Sequence, residues 1–205
     1  MDVREALEQR RAIKRFDPDQ ELTDAELKQM LEPVLLTPTS YNLQHYRFVV
    51  ARKKELKSQL CEAAFNQFQV RDCSAVVVVT AKLNAHEDAG QIYDHLPSEI
   101  TDKLVAMTAS FYGNAPQLQR DEAMRSGSLA SMTLMLVASE MGWDTCPMIG
   151  YDTAKVIELM SIPSDHAIIM MICVGKANNA PRERALRYQL SDVVCLENFE
   201  GVRFE

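Results

Sequence analysis

The chain has 205 residues, 47% of them hydrophobic, which is ample apolar material for one globular domain, and a formal net charge of −7. That acidic balance argues against a nucleic-acid-binding surface or a polybasic membrane anchor. The longest purely apolar run, IIMMICV at 168–174, is too short to span a bilayer, and the charged opening MDVREALEQRRAIKRF does not read as a secretory signal.

In chain order, residues 3–9 read as a short helix with Val3 and Leu7 on one face. TDAE at 23–26 is a capping box, with Thr23 accepting from the backbone of Glu26 and the Glu26 carboxylate reaching back. It starts a helix to about residue 36 that Pro33 should kink or split. YRFVVA at 46–51 is expected as a strand and 54–66 as a helix. SAVVVVTA at 74–81 is continuously apolar and β-branched, the pattern of a strand covered on both faces. Residues 82–118 have an acidic first half and no sharp period, and read as helices and loops forming a mobile cover. SGSLASMTLMLVASEMG at 126–142 is apolar nearly all round, which marks a central buried helix with Gly142 as its C-terminal cap. Asp152 or Thr153 caps a further helix through about 160, and AIIMMICVG at 167–175 is another buried strand. After residue 176 the chain reads as polar, with ENFEGVRFE as an extended tail. No repeat, low-complexity segment or linker appears, so residues 1–205 are expected to form a single domain.

Five cysteines (61, 73, 146, 173, 195) include no C-x-x-C pair, and most sit beside apolar residues. Free buried thiols and a cytoplasmic location are expected. Four histidines without ligand spacing argue against a metal site.

Basic residues gather at both ends of this acidic chain: Arg10, Arg11, Lys14 and Arg15 in one cluster, Arg182, Arg184 and Arg187 in the other. They read either as solvated surface charge or as two halves of one anion site, for which guanidinium forks suit phosphate. No G-x-G-x-x-G or G-x-x-x-x-G-K-[ST] loop competes for that role. In TPTSYNLQHYRFVV at 37–50, Ser40, Asn42 and Gln44 alternate, so an extended chain would point them the same way, while turn chemistry is the other reading. In CPMIGYD at 146–152, Gly150 allows close backbone approach and the N–H groups of Ile149 and Gly150 could donate to a ligand; otherwise the segment is a tight connector. Asn66 and Gln69 lie one turn apart at the end of the expected 54–66 helix. No nucleophile–base signature appears, so a cofactor would have to carry any chemistry.

These pieces in this order resemble the FMN-dependent nitroreductase family, over about residues 4–194. RRAIKRF at 10–16 is similar to its N-terminal phosphate motif, and PRER at 181–184 to its C-terminal one. TPTSYNLQHYRFVV is similar to its proline-serine-serine-x-asparagine-x-glutamine-proline-tryptophan segment, and CPMIGYD to the segment beneath the flavin ring. The resemblance implies an α+β fold with a central mixed sheet flanked by helices. It further implies a domain-swapped homodimer holding FMN at the subunit interface, with residues 195–205 extending onto the partner.

Carried over, Arg10, Arg182 and Arg184 would hold the phosphate, with Ala12 where a serine is common. Arg11, Lys14, Asn66 and Gln69 would lie around the ribityl chain and ring edge, with Gln69 where some members have lysine. Pro38, Thr39, Ser40, Asn42 and Gln44 would come from the other subunit. Pro147, Met148, Ile149 and Gly150 would run beneath the ring, a backbone N–H facing flavin N5. His45 reads as a proton donor or a polar loop residue, and Phe111 and Tyr112 as substrate-pocket walls or helix core. The implied activity is ping-pong hydride transfer from NAD(P)H through flavin N5 to a nitroaromatic, quinone or similar acceptor. Dehalogenation, enone reduction, oxidative flavin fragmentation, or flavin binding without fast turnover are the alternatives.

Overall fold

Asp2 opens the first element. Its carboxylate accepts from the Glu5 N–H while the Glu5 side chain returns to the Asp2 N–H, and this reciprocal cap starts α1 (Val3–Gln9). The computed structural model describes residues 1–204. After α1 come α2 (Asp24–Leu31), β1 (Tyr46–Ala51), α3 (Lys54–Ala63), α4 (Phe68–Asp72) and β2 (Ala75–Lys82). Then follow α5 (Ala89–Ile92), α6 (Ser98–Tyr112), α7 (Pro116–Glu140), β3 (Asp144–Met148), α8 (Thr153–Met160), β4 (His166–Gly175) and α9 (Leu190–Val193).

The four strands make one sheet in the order β1-β2-β4-β3. All three pairings are antiparallel, and the parallel component of the expected mixed sheet is a single bridge from Ala12 to Thr145. Alternation along β2 explains its unbroken apolar run. Val76 and Val78 pack with Leu60, Val156, Met171 and Cys173 on one face; Val77 and Val79 pack with Met30, Leu134, Ala138 and Ile172 on the other. Each fully buried aliphatic side chain is worth about 1.5–3 kcal/mol, so double coverage, more than strand propensity, fixes β2 at the centre.

Small residues let α7 approach that sheet. Ser126, Gly127, Ala130 and Ser131 are all buried, and a Cβ added at Gly127 would stand 2.4 Å from Ile169 Cγ1. The helix ends in a Schellman turn: Gly142 has φ +73°, its N–H reaches the Ser139 carbonyl at 3.0 Å, and the Trp143 N–H reaches Ala138 at 2.7 Å.

The capping box at Thr23 and Glu26 forms as expected, and Pro33 converts the rest of its helix into a 3-10 turn, Glu32–Leu36. Asp152 caps α8 by accepting from the Lys155 N–H at 3.2 Å. Several expectations need correction. The 54–66 helix stops at Ala63 because Phe65 and Asn66 turn left-handed, both at φ 56°. The buried helix starts ten residues earlier than its apolar run, at Pro116, and residues 98–112 form a complete helix. The face of α1 bearing Val3 and Leu7 is exposed, and Ala6 is the residue it buries. The tail is not simply polar: Leu186, Tyr188, Leu190, Val193, Leu196, Phe199, Val202 and Phe204 are all exposed on it.

Candidate functional site

The two basic ends meet. At Arg10 the chain leaves α1 and runs extended beside β3, where the Ile13 N–H bonds the Thr145 carbonyl at 3.0 Å. Phe16, buried, bridges to Ala177, and the Asn178 N–H bonds the Arg15 carbonyl at 3.0 Å. These contacts hold residues 12–15 against 179–182 across a cavity of ≈ 220 Å³ lined by Ala12, Lys14, Arg15, Pro181 and Arg182 among others. Arg11 Nη2 donates to the Arg182 carbonyl. Arg184 Nη2 donates to the last carbonyls of α1, Glu8 at 2.8 Å and Leu7 at 3.3 Å, so part of its fork is already used on the helix C-terminus.

Among the described residues, none of Arg10, Arg11, Lys14, Arg15, Arg182, Arg184 or Arg187 forms an ion pair, although the chain is acidic overall. The Arg10 guanidinium is held below the usual arginine range, first by burial and then by Arg184, Arg187 and Arg11. Its Nε is buried without a hydrogen-bond partner. Concentrated, mutually repelling cations with an orphaned buried donor are groups that could hold an anion.

A second group lies at the end of β3. Met148 is buried in the sheet, Pro147 is half-buried, and Ile149 and Gly150 emerge into solvent. Neither Ile149 nor Gly150 uses its N–H in a hydrogen bond among the described residues, and a Cβ at Gly150 would meet Gln67 Nε2 at 3.3 Å. Gln67 ties this corner to the α3–α4 turn, donating to the Gly150 carbonyl at 2.8 Å and accepting from Gln69 Nε2 at 2.9 Å. Sequence reasoning missed Gln67. The expectation that Asn66 and Gln69 share a helix end is corrected: Asn66 is exposed beyond α3, and Gln69 is buried on α4. The signal that could have exposed this turn is the asparagine itself, a residue that tolerates the left-handed conformation.

The third group is residues 38–45. It is not extended, so the alternation of Ser40, Asn42 and Gln44 does not aim them together. Instead Ser40–Asn42 is a 3-10 turn, with Tyr41, Asn42 and Gln44 left-handed at φ 50°, 50° and 46°. Such residues cost about 1–3 kcal/mol each and persist only where surrounding contacts over-determine them. Here the Gln44 N–H bonds Thr39 Oγ1 at 2.9 Å, the Tyr93 hydroxyl bonds the Tyr41 carbonyl, and the Tyr112 hydroxyl bonds Ser40 Oγ at 2.6 Å. Pro38 and Asn42 are exposed.

The three residues assigned to the substrate pocket part company. Phe111 is exposed, Tyr112 is 2% exposed beneath it, and His45 is 2% exposed with its Nδ1 unpartnered. Burial, more than the nearby Glu122 carboxylate, sets the His45 imidazole and pushes its pKa down. Among the described residues no hydrogen bond joins this loop to the basic cluster.

Comparison with known proteins bears on this arrangement. The model of the nitroreductase family matches residues 7–176. Protein DrgA of Synechocystis is 43% identical over 202 residues, covering 96% of each chain. MhqN of Bacillus subtilis, provisionally named as an NAD(P)H nitroreductase, is 37% identical over 194 residues, covering 91% of this chain and 94% of that one. A provisionally assigned nitroreductase from Exiguobacterium sibiricum, crystallised in complex with FMN, superposes with a TM-score of 0.87 at 32% identity, covering 95% and 96% of the two chains.

Proposed function

The chain belongs to the nitroreductase family, and from that premise we propose that it is an FMN-dependent oxidoreductase using NAD(P)H to reduce a nitroaromatic, quinone or similar acceptor. The observation carrying the proposal is the seven-cation cluster without a counter-ion, with the buried Nε of Arg10 lacking a partner. A phosphate there supplies both the missing charge and the missing acceptor. Arg10, Arg11 and Arg182 would hold it, with the part of the Arg184 fork not spent on α1; Ala12 contributes no hydroxyl, and Lys14 would lie toward the ribityl chain.

When bound, FMN supplies two-electron chemistry between NAD(P)H and the acceptor. The residues of the chain position it and exclude alternatives. A Cβ at Gly150 would crowd Gln67 Nε2, so glycine keeps this corner compact, and the free N–H groups of Ile149 and Gly150 could donate to a ring nitrogen. Gln67 Nε2 holds the Gly150 carbonyl at 2.8 Å, which ties this corner to the α3–α4 turn. Gln69 and Asn66 flank that corner. Thr39, Ser40, Asn42 and Gln44 would reach a flavin from a second copy, in a working unit that we read as a homodimer. Eight exposed large apolar residues on the 186–204 tail support that reading, since an unpartnered surface of this kind is costly for a monomer.

The test is direct. Purified protein should carry FMN, bleach anaerobically with NADH or NADPH, and recover its colour when a nitroaromatic or quinone is added. Protein that binds FMN yet is not bleached by either nucleotide would be a flavin carrier, and the proposed activity would be wrong.

A further inference from the structure

Helix α6 buries Thr108 and Tyr112 and turns Lys103, Ala106, Met107, Ser110 and Phe111 outward. Together with Tyr41 these five line a shallow cleft of ≈ 480 Å³ that is largely open to solvent. Most of the lining is apolar, and two of its side chains are aromatic rings. Tyr41 and Phe111 stand with ring centroids 6.2 Å apart, and Phe111 rests edge-on at 4.9 Å against the buried Tyr112 ring. Phe111 is 51% exposed and Met107 43%, which leaves an aromatic ring and a thioether side chain accessible to a flat π-system. Tyr41 is pinned in its left-handed conformation by the bond from the Tyr93 hydroxyl to its carbonyl, so this wall is preorganised.

Lys103 is the only cation among these lining residues. Its ammonium forms no ion pair among the described residues, even though Glu99 lies one helical turn away. In a chain of net charge −7, an unpaired ammonium beside an aromatic cleft is a selective element for anions. Tyr41 also sits between Ser40 and Asn42, which places the cleft next to the segment assigned above to the flavin.

We infer that this cleft takes a planar aromatic acceptor carrying an anionic substituent such as a carboxylate. The ring lies against Phe111, Tyr41 and Met107, and the anion sits on the Lys103 ammonium, which makes Lys103 a specificity-determining residue. The inference rests on the proposed reductase reading for the role of the bound molecule, and binding measured without turnover keeps the two separable.

The experiment is equilibrium dialysis of the protein as purified, without NAD(P)H, against para-nitrobenzoate and its neutral isostere para-nitrobenzamide. The affinity ratio of acid to amide should fall about tenfold in Lys103→Gln, the loss of one charge-assisted contact, and return in Lys103→Arg. Phe111→Ala should weaken both ligands alike, and Lys28→Gln, a change remote from the cleft, should leave the ratio unchanged. A ratio that stays within about twofold in Lys103→Gln, or falls equally in Lys28→Gln, overturns the inference. Absence of NAD(P)H-driven turnover would instead strike at the reductase reading, leaving the binding result to stand or fall by itself.

Discussion

Replacing Arg10 by methionine should move folding and flavin binding in opposite directions. The Arg10 Nε is buried without a partner, and its charge is opposed by burial and then by Arg184, Arg187 and Arg11. Methionine keeps much of the apolar stem and removes both costs. A buried unsatisfied donor costs about 1–3 kcal/mol; the residue is only half-buried, and solvent screens the charge repulsion, so a gain of about 1 kcal/mol is expected. In a chain of this size that raises the melting midpoint of the flavin-free protein by roughly 2–4 °C. The same substitution removes a charge-assisted contact to the phosphate worth about 1.5–3 kcal/mol, weakening FMN binding roughly 10- to 150-fold. Calorimetry of the stripped protein and a fluorescence titration with FMN read the two effects separately. A variant that melts below the wild type, with FMN affinity intact, would show that Arg10 is a structural residue and refute the reasoning.

Other consequences follow from particular contacts. Gly127→Val forces a branched side chain against Ile169 and should destabilise by about 1–3 kcal/mol or more, read as a lower urea midpoint. His45 is held neutral by burial, its pKa below the ordinary 6.5. The unfolded chain therefore binds the extra proton first, so this contribution to stability is whole above that value and declines as pH falls below it. Urea midpoints measured across about pH 5 to 8 should fall on the acid side more steeply in the wild type than in His45→Gln, and parallel profiles would contradict this. A chain ending at Tyr188 loses six exposed apolar residues of the tail, from Leu190 to Phe204, and should sediment as a monomer, whereas the full chain should sediment as a dimer.

Much of the sheet was legible because its central strands are buried on both faces, a requirement that forces unbroken runs of Val and Ile at 74–81 and 167–175. β3 was not legible. It is five residues long and contains Pro147, which reads as a strand breaker but is tolerated at a sheet edge, where β3 lies. The first ten residues of α7 were hidden by their polarity; Pro116 at the first helical position was the available signal. That the two basic ends meet could be suspected from charge alone, beside the reading of solvated surface charge, and the structure brings them together. Their individual duties could not be read. Nothing local to Arg184 reveals that it caps α1, and nothing local to Gln67 reveals its bond to Gly150, since both partners lie more than eighty residues away in the chain. The left-handed backbone at Tyr41 and Gln44 was equally hidden: neither residue type favours that conformation, and contacts from Tyr93, Tyr112 and Thr39 impose it.

The claim that matters most is that the joined basic ends grip a phosphate. Titrating flavin-stripped protein with FMN and with riboflavin, which share the ring and ribityl chain and differ in the phosphate, isolates that grip. FMN should bind at least about 100-fold more tightly, and the advantage should shrink as salt is raised. Equal affinity for the two flavins would contradict it.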